Sequence, residues 1–313
     1  MQNKWVMKTL TAVGGFALVF VIIGLIQDSD TFLREKEKGE EEIQRVKSFE
    51  LPDSLYFAGE RVPLENFDTH ESLDRELNSN AYFHSSTLLL IKRSHRYFPI
   101  IEPILEEYGL PDDFKYLAVA ESSLTNAVSP VGAKGFWQLM SSTAMDLGLK
   151  VNEEIDERYH LEKSTAAACK YLLKAYEKYG NWTMVAASYN RGPNGVDRLI
   201  DIQDQNNYYD LLLPEETSRY LFRILAFKTI FNNPEKYGFD IPEGHLYPPI
   251  EYITVSVDTT VNSFAQFAAV FGTNYKILKA LNPWLRQPYL NNSSGEAYEI
   301  KIPVEGARTK VYE

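Results

Sequence analysis

The sequence predicts a mainly α protein: one compact helical domain over residues 85–240, closed by a small α+β module over residues 250–305. Three observations carry this. Long apolar-rich stretches follow Ser85, broken only by short Gly- and Pro-containing turns. After Pro242 the character changes, and β-rich and helical stretches alternate. Hydrophobic residues make up 44% of the 313, enough for a real core in one large or two modest domains.

Near the start of the chain lie 18 uncharged residues, 9–26, preceded by Lys4 and Lys8 and followed by Asp28 and Asp30. This length reaches the lower end for a membrane span. It is long for a signal-peptide core, and no small-x-small cleavage site follows it. Residues 1–30 are therefore expected to be an anchor in the inner membrane or a cleaved export signal. The leading lysines place the N-terminus inside and the remainder outside. Residues 31–84 are expected to hold a solvated charged spacer, from Lys36-Glu37-Lys38 onward, and then a segment without sustained periodicity that wraps the next domain.

Residues 87–108 form a long apolar-rich helical stretch that Pro99 and Pro103 are expected to bend or divide. Pro111-Asp112-Asp113 opens the next helix, with proline in the first turn and acids beside it. Further helices are expected over 161–179, 182–189 and 215–231. In the second of these, Trp182, Val185, Ala186 and Tyr189 share one stripe. In the tail, residues 251–257 read as a strand, 263–271 and 274–281 as short helices, and 298–302 as a closing strand. So small a module needs a partner surface or packs on the main domain.

Composition excludes several functions. A net charge of -11 argues against nucleic acid as a partner. The single cysteine, Cys169, permits no internal disulfide and reads as a buried small hydrophobe. The five histidines lack zinc-ligand spacing, so neither a metal nor another cofactor is expected. Aromatic residues reach 13%, which suits a sugar groove, although composition alone favours ordinary core and surface aromatics.

The helix opened by Pro111 places Phe114, Leu117, Ala118 and Glu121 on one stripe. A carboxyl there is partly desolvated, which raises its pKa and favours the neutral acid. Neutral-pH glycosidases protonate their leaving oxygen with such a group. Alone, an acid at that position is more often a structural hydrogen-bond acceptor.

Four segments in order decide between these readings: Glu121-Ser122; Ser129-Pro130-Val131-Gly132-Ala133-Lys134-Gly135-Phe136-Trp137-Gln138; Ser188-Tyr189-Asn190-Arg191-Gly192-Pro193; and Pro214-Glu215-Glu216-Thr217-Ser218-Arg219-Tyr220. Over about residues 90–230 the chain resembles the soluble lytic transglycosylase (SLT) family, whose lysozyme-like helical fold is shared with goose-type lysozymes. The resemblance implies cleavage of the β-1,4 bond between N-acetylmuramic acid and N-acetylglucosamine in peptidoglycan, without water, leaving a 1,6-anhydro sugar. It implies Glu121 as catalytic acid and base, and Ser129, Gln138, Tyr189, Asn190 and Tyr220 as the substrate-binding positions around it. Ser129 matches a serine near the glutamate or the acetamido group, Gln138 a groove glutamine, Asn190 an asparagine that fixes the glutamate or a sugar amide, and Tyr220 a tyrosine whose hydroxyl reaches the glutamate. Ser188 and Arg191 depart from the usual alanines without removing a functional group.

The tail resembles a LysM peptidoglycan-binding module in Phe264, Phe267, Ala268, Gly272, Leu278, Leu281, Asn282 and Ile300-Lys301-Ile302-Pro303. Its usual Gly-Asp-Thr opening is replaced by Val257-Asp258-Thr259-Thr260. The implied partners are peptidoglycan strands and the bacterial membrane, on the periplasmic side of the cell envelope. Two alternatives stay open: a hydrolase of the same fold, which needs a second carboxylate, with Asp146, Glu153, Glu154 and Asp156 the nearest acids after the motif, and a non-catalytic wall-binding scaffold.

Overall fold

The computed structural model describes residues 46–309. The uncharged run at 9–26 lies outside them. Among the described residues no helix is long and apolar enough to cross a membrane. A helical unit comes first and a two-stranded unit closes the chain, as the sequence predicts.

The helical unit opens with a hairpin, β1 (Tyr56–Phe57) and β2 (Glu60–Arg61). Ala58 and Gly59 both take positive φ at its tip, the geometry that matches strand twist in a two-residue turn. Helix α1 (Phe67–Tyr82) follows, then α2 (His84–Glu107), α3 (Lys115–Ser122), α4 (Ser141–Asp146), α5 (Leu161–Tyr179), α6 (Trp182–Arg191), α7 (Pro193–Gln203) and α8 (Glu215–Asn232). The C-terminal unit contains β3 (Tyr252–Val257), α9 (Phe264–Val270), α10 (Tyr275–Leu281) and β4 (Tyr298–Pro303).

Two expectations are corrected. Residues 51–84 do not merely wrap the domain, because they hold the hairpin and the 16-residue α1. The hairpin ties helix ends together: both Glu60 carboxylate oxygens accept from the Trp182 and Thr183 amides that open α6, at 2.5 and 3.0 Å. Asp113, just before α3, accepts from the Ala58 amide at 2.6 Å and from Lys228 of α8 at 2.7 Å. Secondly, Pro99 and Pro103 do not divide α2, which runs unbroken. Both prolines are exposed, where water can reach the carbonyls they leave unbonded, and Leu90, Ile91, Ile101 and Leu105 hold the opposite face in the core.

Helix α8 lies at the centre. Thr217, Tyr220, Leu221, Phe222, Ile224, Leu225, Ala226, Phe227 and Ile230 are all buried, so it is covered on most sides, as a helix without a consistent polar face must be. It packs against α1, α3 and α6. Local signals delimit its neighbours. The Asn181 side chain accepts from the Met184 amide at 2.9 Å to start α6. Gly192 ends α6, and Pro193 stands at the opening of α7. Cys169 is fully buried in α5, and burial pushes its thiol up to about 12.

In the C-terminal unit β3 and β4 pair antiparallel from Tyr252↔Pro303 to Val257↔Tyr298. Fully buried Asn282 pins α10 to β4, donating to the Lys301 carbonyl at 2.7 Å and accepting from the Lys301 amide at 2.8 Å. The core of this unit is completed from outside. Ile155 and Tyr159, which precede α5, are buried with Phe264, Leu278, Trp284, Leu285 and Ile300.

Candidate active site

Glu121 occupies the last turn of α3. Its apolar companions Phe114, Leu117 and Ala118 are fully buried, and the glutamate itself is half-buried at the edge of their stripe. Burial raises its carboxyl to about 7. The Tyr220 hydroxyl donates to Oε1 at 2.5 Å and opposes that rise by favouring the carboxylate. The Glu216 charge adds to it, and the Arg223 charge opposes it. Near neutral pH Glu121 is therefore divided between acid and base, which suits a group that must give a proton and then take one. Tyr220 is buried, and its own hydroxyl is held well above its ordinary value by burial and by Glu121, so it remains a donor.

Beyond α3 the chain makes a tight exit. Ser123 and Leu124 take consecutive left-handed conformations, and the Ser123 amide closes the helix on the Val119 carbonyl at 3.0 Å. The loop 125–139 that follows is tied to itself. Ser129 Oγ accepts from the Ala133 amide at 2.9 Å. Gln138, itself at φ 47°, donates through Nε2 to the Ala127 and Gly135 carbonyls at 3.1 and 2.8 Å. The Trp137 indole donates to Thr165 at 2.8 Å, and the Tyr189 hydroxyl donates to the Trp137 carbonyl at 2.6 Å.

Of the residues singled out in the sequence, Tyr220 contacts Glu121 directly. Tyr189 is partly buried, and burial together with the Glu121 charge holds its hydroxyl well above the ordinary value. Asn190 turns elsewhere: it accepts from Thr217 Oγ1 at 2.8 Å and reaches Glu216 at 3.4 Å, joining the end of α6 to the start of α8. Ser129 and Gln138 hold the loop. Of the acids named for a hydrolase, Glu154 and Asp156 are engaged away from Glu121. Asp156 pairs with Arg158 at 2.7 Å, and Glu154 accepts twice from Asn291 at 2.8 Å. The carboxylate that does act on Glu121 is exposed Glu216. With Arg223 it is the group that sequence reasoning passed over. Their signal was the spacing 216, 220, 223, which puts both on the face of α8 that carries Tyr220. Among the described residues no three His, Cys, Asp or Glu side chains gather as a metal site would require.

The fold and site define a lysozyme-like helical domain with one desolvated glutamate in the last turn of a buried helix. Residues 99–212 match the family described as transglycosylase SLT domain, and residues 253–306 match the soluble lytic transglycosylase C-terminal LysM-like domain. The helical domain is thus similar to an SLT domain and the C-terminal unit to a LysM-like module. It is 26% identical over 273 residues to membrane-bound lytic murein transglycosylase D of Escherichia coli K12, covering 82% of this chain and 56% of the relative. The same values hold for the protein of that name from Escherichia coli O6:H1. The chain therefore spans little more than half the length of these relatives. Among solved structures, an inactive variant of the lytic transglycosylase Slt from Pseudomonas aeruginosa aligns with a TM-score of 0.36 and 18% identity, over 49% of this chain and 26% of that one.

Proposed function

We propose that the protein is a peptidoglycan lytic transglycosylase. It cleaves the β-1,4 bond between N-acetylmuramic acid and N-acetylglucosamine and leaves a 1,6-anhydromuramoyl end. The observation that carries this reading is the Glu121 carboxyl, raised to about 7 by burial and addressed by the Tyr220 hydroxyl. Protonated Glu121 gives its proton to the glycosidic oxygen as the C1–O bond breaks. The resulting carboxylate then takes the proton of the muramic 6-hydroxyl as that oxygen closes on C1. No water is consumed, and Glu121 ends protonated for the next cycle. The substrate's N-acetyl group stabilises the cationic C1 between the two steps.

In this reading Ser129 and Gln138 hold the loop that forms one wall of the groove. Tyr189 ties that wall to α6, and Asn190 ties α6 to α8, with their free faces toward the saccharide. The catalytic domain corresponds to residues 85–240 with the hairpin and α1 packed on it, and residues 250–305 add affinity for the wall. The uncharged run at 9–26 holds the enzyme at the inner membrane, on the periplasmic side of the cell envelope. Both assignments rest on the order of segments and on the name of the Escherichia coli relatives.

Glu216 favours one other reading, hydrolysis with Glu216 as the second carboxylate. A retaining or inverting pair needs carboxyls about 5–5.5 or 6.5–9.5 Å apart. Mass spectrometry of purified peptidoglycan digested by the protein separates the two, because anhydro products are lighter by one water. Anhydro ends are expected from the wild type and from Glu216→Gln. Glu121→Gln should lose activity by about a thousandfold or more while still binding glycan. Water-containing products would sink the lyase reading, and binding without any cleavage by the wild type would make the protein a scaffold.

A further inference from the structure

The Glu76 carboxylate on α1 is 1% exposed, and a charge so placed costs several kcal/mol unless it is paired. Three guanidinium groups converge on it. Arg219 Nε lies 2.6 Å from Oε1, Arg75 Nε 3.4 Å from Oε1, and Arg223 Nε 3.6 Å from Oε2. Arg219, which also reaches Glu215 at 3.6 Å, and Arg75 together already match the charge of both carboxylates. The third cation is thus surplus for neutralising Glu76, and its position calls for another account.

That position follows from the helix. Arg223 stands four residues after Arg219 and three after Tyr220, so on α8 it adjoins both. Arg219 faces α1 and Glu76. Tyr220 faces α3 and donates to Glu121. Arg223 spans the two, with its Nε beside Glu76 and its charge felt by both Glu121 and Tyr220. The groups that face Glu121 are Tyr220, Glu216 and Arg223 from α8 and Tyr189 from α6, and Arg223 is the cation of the set.

We propose that Glu76 and Arg223 form a positioning pair for the Glu121 centre. Glu76 anchors and partly neutralises the guanidinium one turn beyond Tyr220, and the cation so held tunes the proton affinity of the acid. Arg223 unrestrained would pair with Glu121 and keep it ionised, leaving no proton for the leaving oxygen. Arg223 absent would raise the proton affinity of Glu121, keeping it protonated further into the alkaline range but making it a weaker acid toward the leaving oxygen. Glu76 acts on the acid only through Arg223. The pair's role in cleavage rests on the proposed transglycosylase reading, but its effect on Glu121 does not.

The test uses the full chain with Arg223→Gln, Glu76→Gln and the double variant. Glu121 is titrated by 13C NMR of glutamate-labelled protein, assigned with Glu121→Gln, beside the pH profile of peptidoglycan cleavage. Arg223→Gln should move the Glu121 titration and the alkaline limb up by about one pH unit, and Glu76→Gln should move both down by about half a unit. The double variant should coincide with Arg223→Gln, an epistasis that a merely structural Glu76 would not produce. An unmoved titration in Arg223→Gln, or a Glu76→Gln shift that persists in the double variant, would overturn the pair. Where Glu76→Gln does not fold, Arg223→Lys replaces it: it must retain the wild-type titration, and a shift equal to that of Arg223→Gln refutes the charge effect. Wild-type protein that cleaves nothing would defeat the transglycosylase reading while the titration still decides the pair.

Discussion

Burial moves the Glu121 carboxyl up to about 7, whereas in an unfolded chain it ionises near 4.5, and this difference couples stability to pH. The folded state binds the proton more tightly, so the contribution is fully present below pH 4.5 and is lost as pH rises through about 7. Above that range the folded protein carries a carboxylate that half-burial penalises. Glu121→Gln removes the ionisation and keeps the size. Urea unfolding should find the variant more stable than wild type at pH 8 by about 1–2 kcal/mol, discounted for partial exposure, and nearly equal to it at pH 4.5. Equal stability at both pH values would mean that the carboxyl is not desolvated as described. Glu121 itself was legible in the sequence because its stripe is local, with Phe114, Leu117 and Ala118 within seven residues. Tyr220 was legible only through the order of four motifs. The meeting of Glu76 with Arg223 was not legible, because it depends on how α1 packs against α8, which neither segment specifies alone.

At the scale of elements, the loop 125–139 depends on backbone freedom at one point. Gly135 has φ +80°, and a Cβ there would lie 1.9 Å from the Arg158 carbonyl oxygen. The approach is held from the other side as well, since the Arg158 guanidinium donates to the Gly132 and Leu139 carbonyls at 3.1 and 3.3 Å. Neither backbone can yield cheaply. Gly135→Ala should destabilise the protein by about 2–4 kcal/mol and displace the loop carrying Ser129 and Gln138. Thermal unfolding and the cleavage rate should fall together, and a variant with unchanged melting temperature would show that the loop is not fixed by this contact. The glycine was visible in the sequence as a turn residue, but the carbonyl that makes it irreplaceable comes from a segment 23 residues away. Helix α1 escaped for a different reason. Its buried positions Thr69, Leu73, Glu76, Leu77 and Ala81 have helical spacing, yet two of the five are polar, which erases the apolar stripe. The unbroken α2 misled in the opposite sense: two prolines read as breaks, but both fall on its exposed face.

At the scale of the whole described molecule, the LysM-like module is built into the SLT domain through shared backbone as well as side chains. Ile155 bridges to Leu285, the Asp156 amide donates to the Trp284 carbonyl at 2.9 Å, and the Arg286 amide donates to the Glu154 carbonyl at 2.7 Å. Ile155 and Tyr159 sit in the module's core, and Arg286 lies over the Tyr159 ring at 4.3 Å. Glu162 in the first turn of α5 is held down to about 2, against its own burial, by His160 and by Lys301 of β4. The four elements of the module were each legible from local pattern, and its need for a partner surface followed from its size. That Ile155 and Tyr159 supply this surface was not, since both precede the module by about a hundred residues of chain. Removing residues 250–309 would return these two side chains to water at about 1.5–3 kcal/mol each and leave Glu162 half-desolvated without Lys301. The remaining SLT domain should melt lower by on the order of 10 °C, and the full chain should unfold in one calorimetric transition. The Glu162 share of that loss is separable by pH. A lowered folded pKa contributes stability above about pH 4.5 that disappears as pH falls through about 2, so Lys301→Ala should cost stability at pH 7 and little at pH 2. Two resolved transitions in the full chain, or an SLT domain that melts unchanged without the module, would show instead a tethered module whose only contribution is to hold the wall.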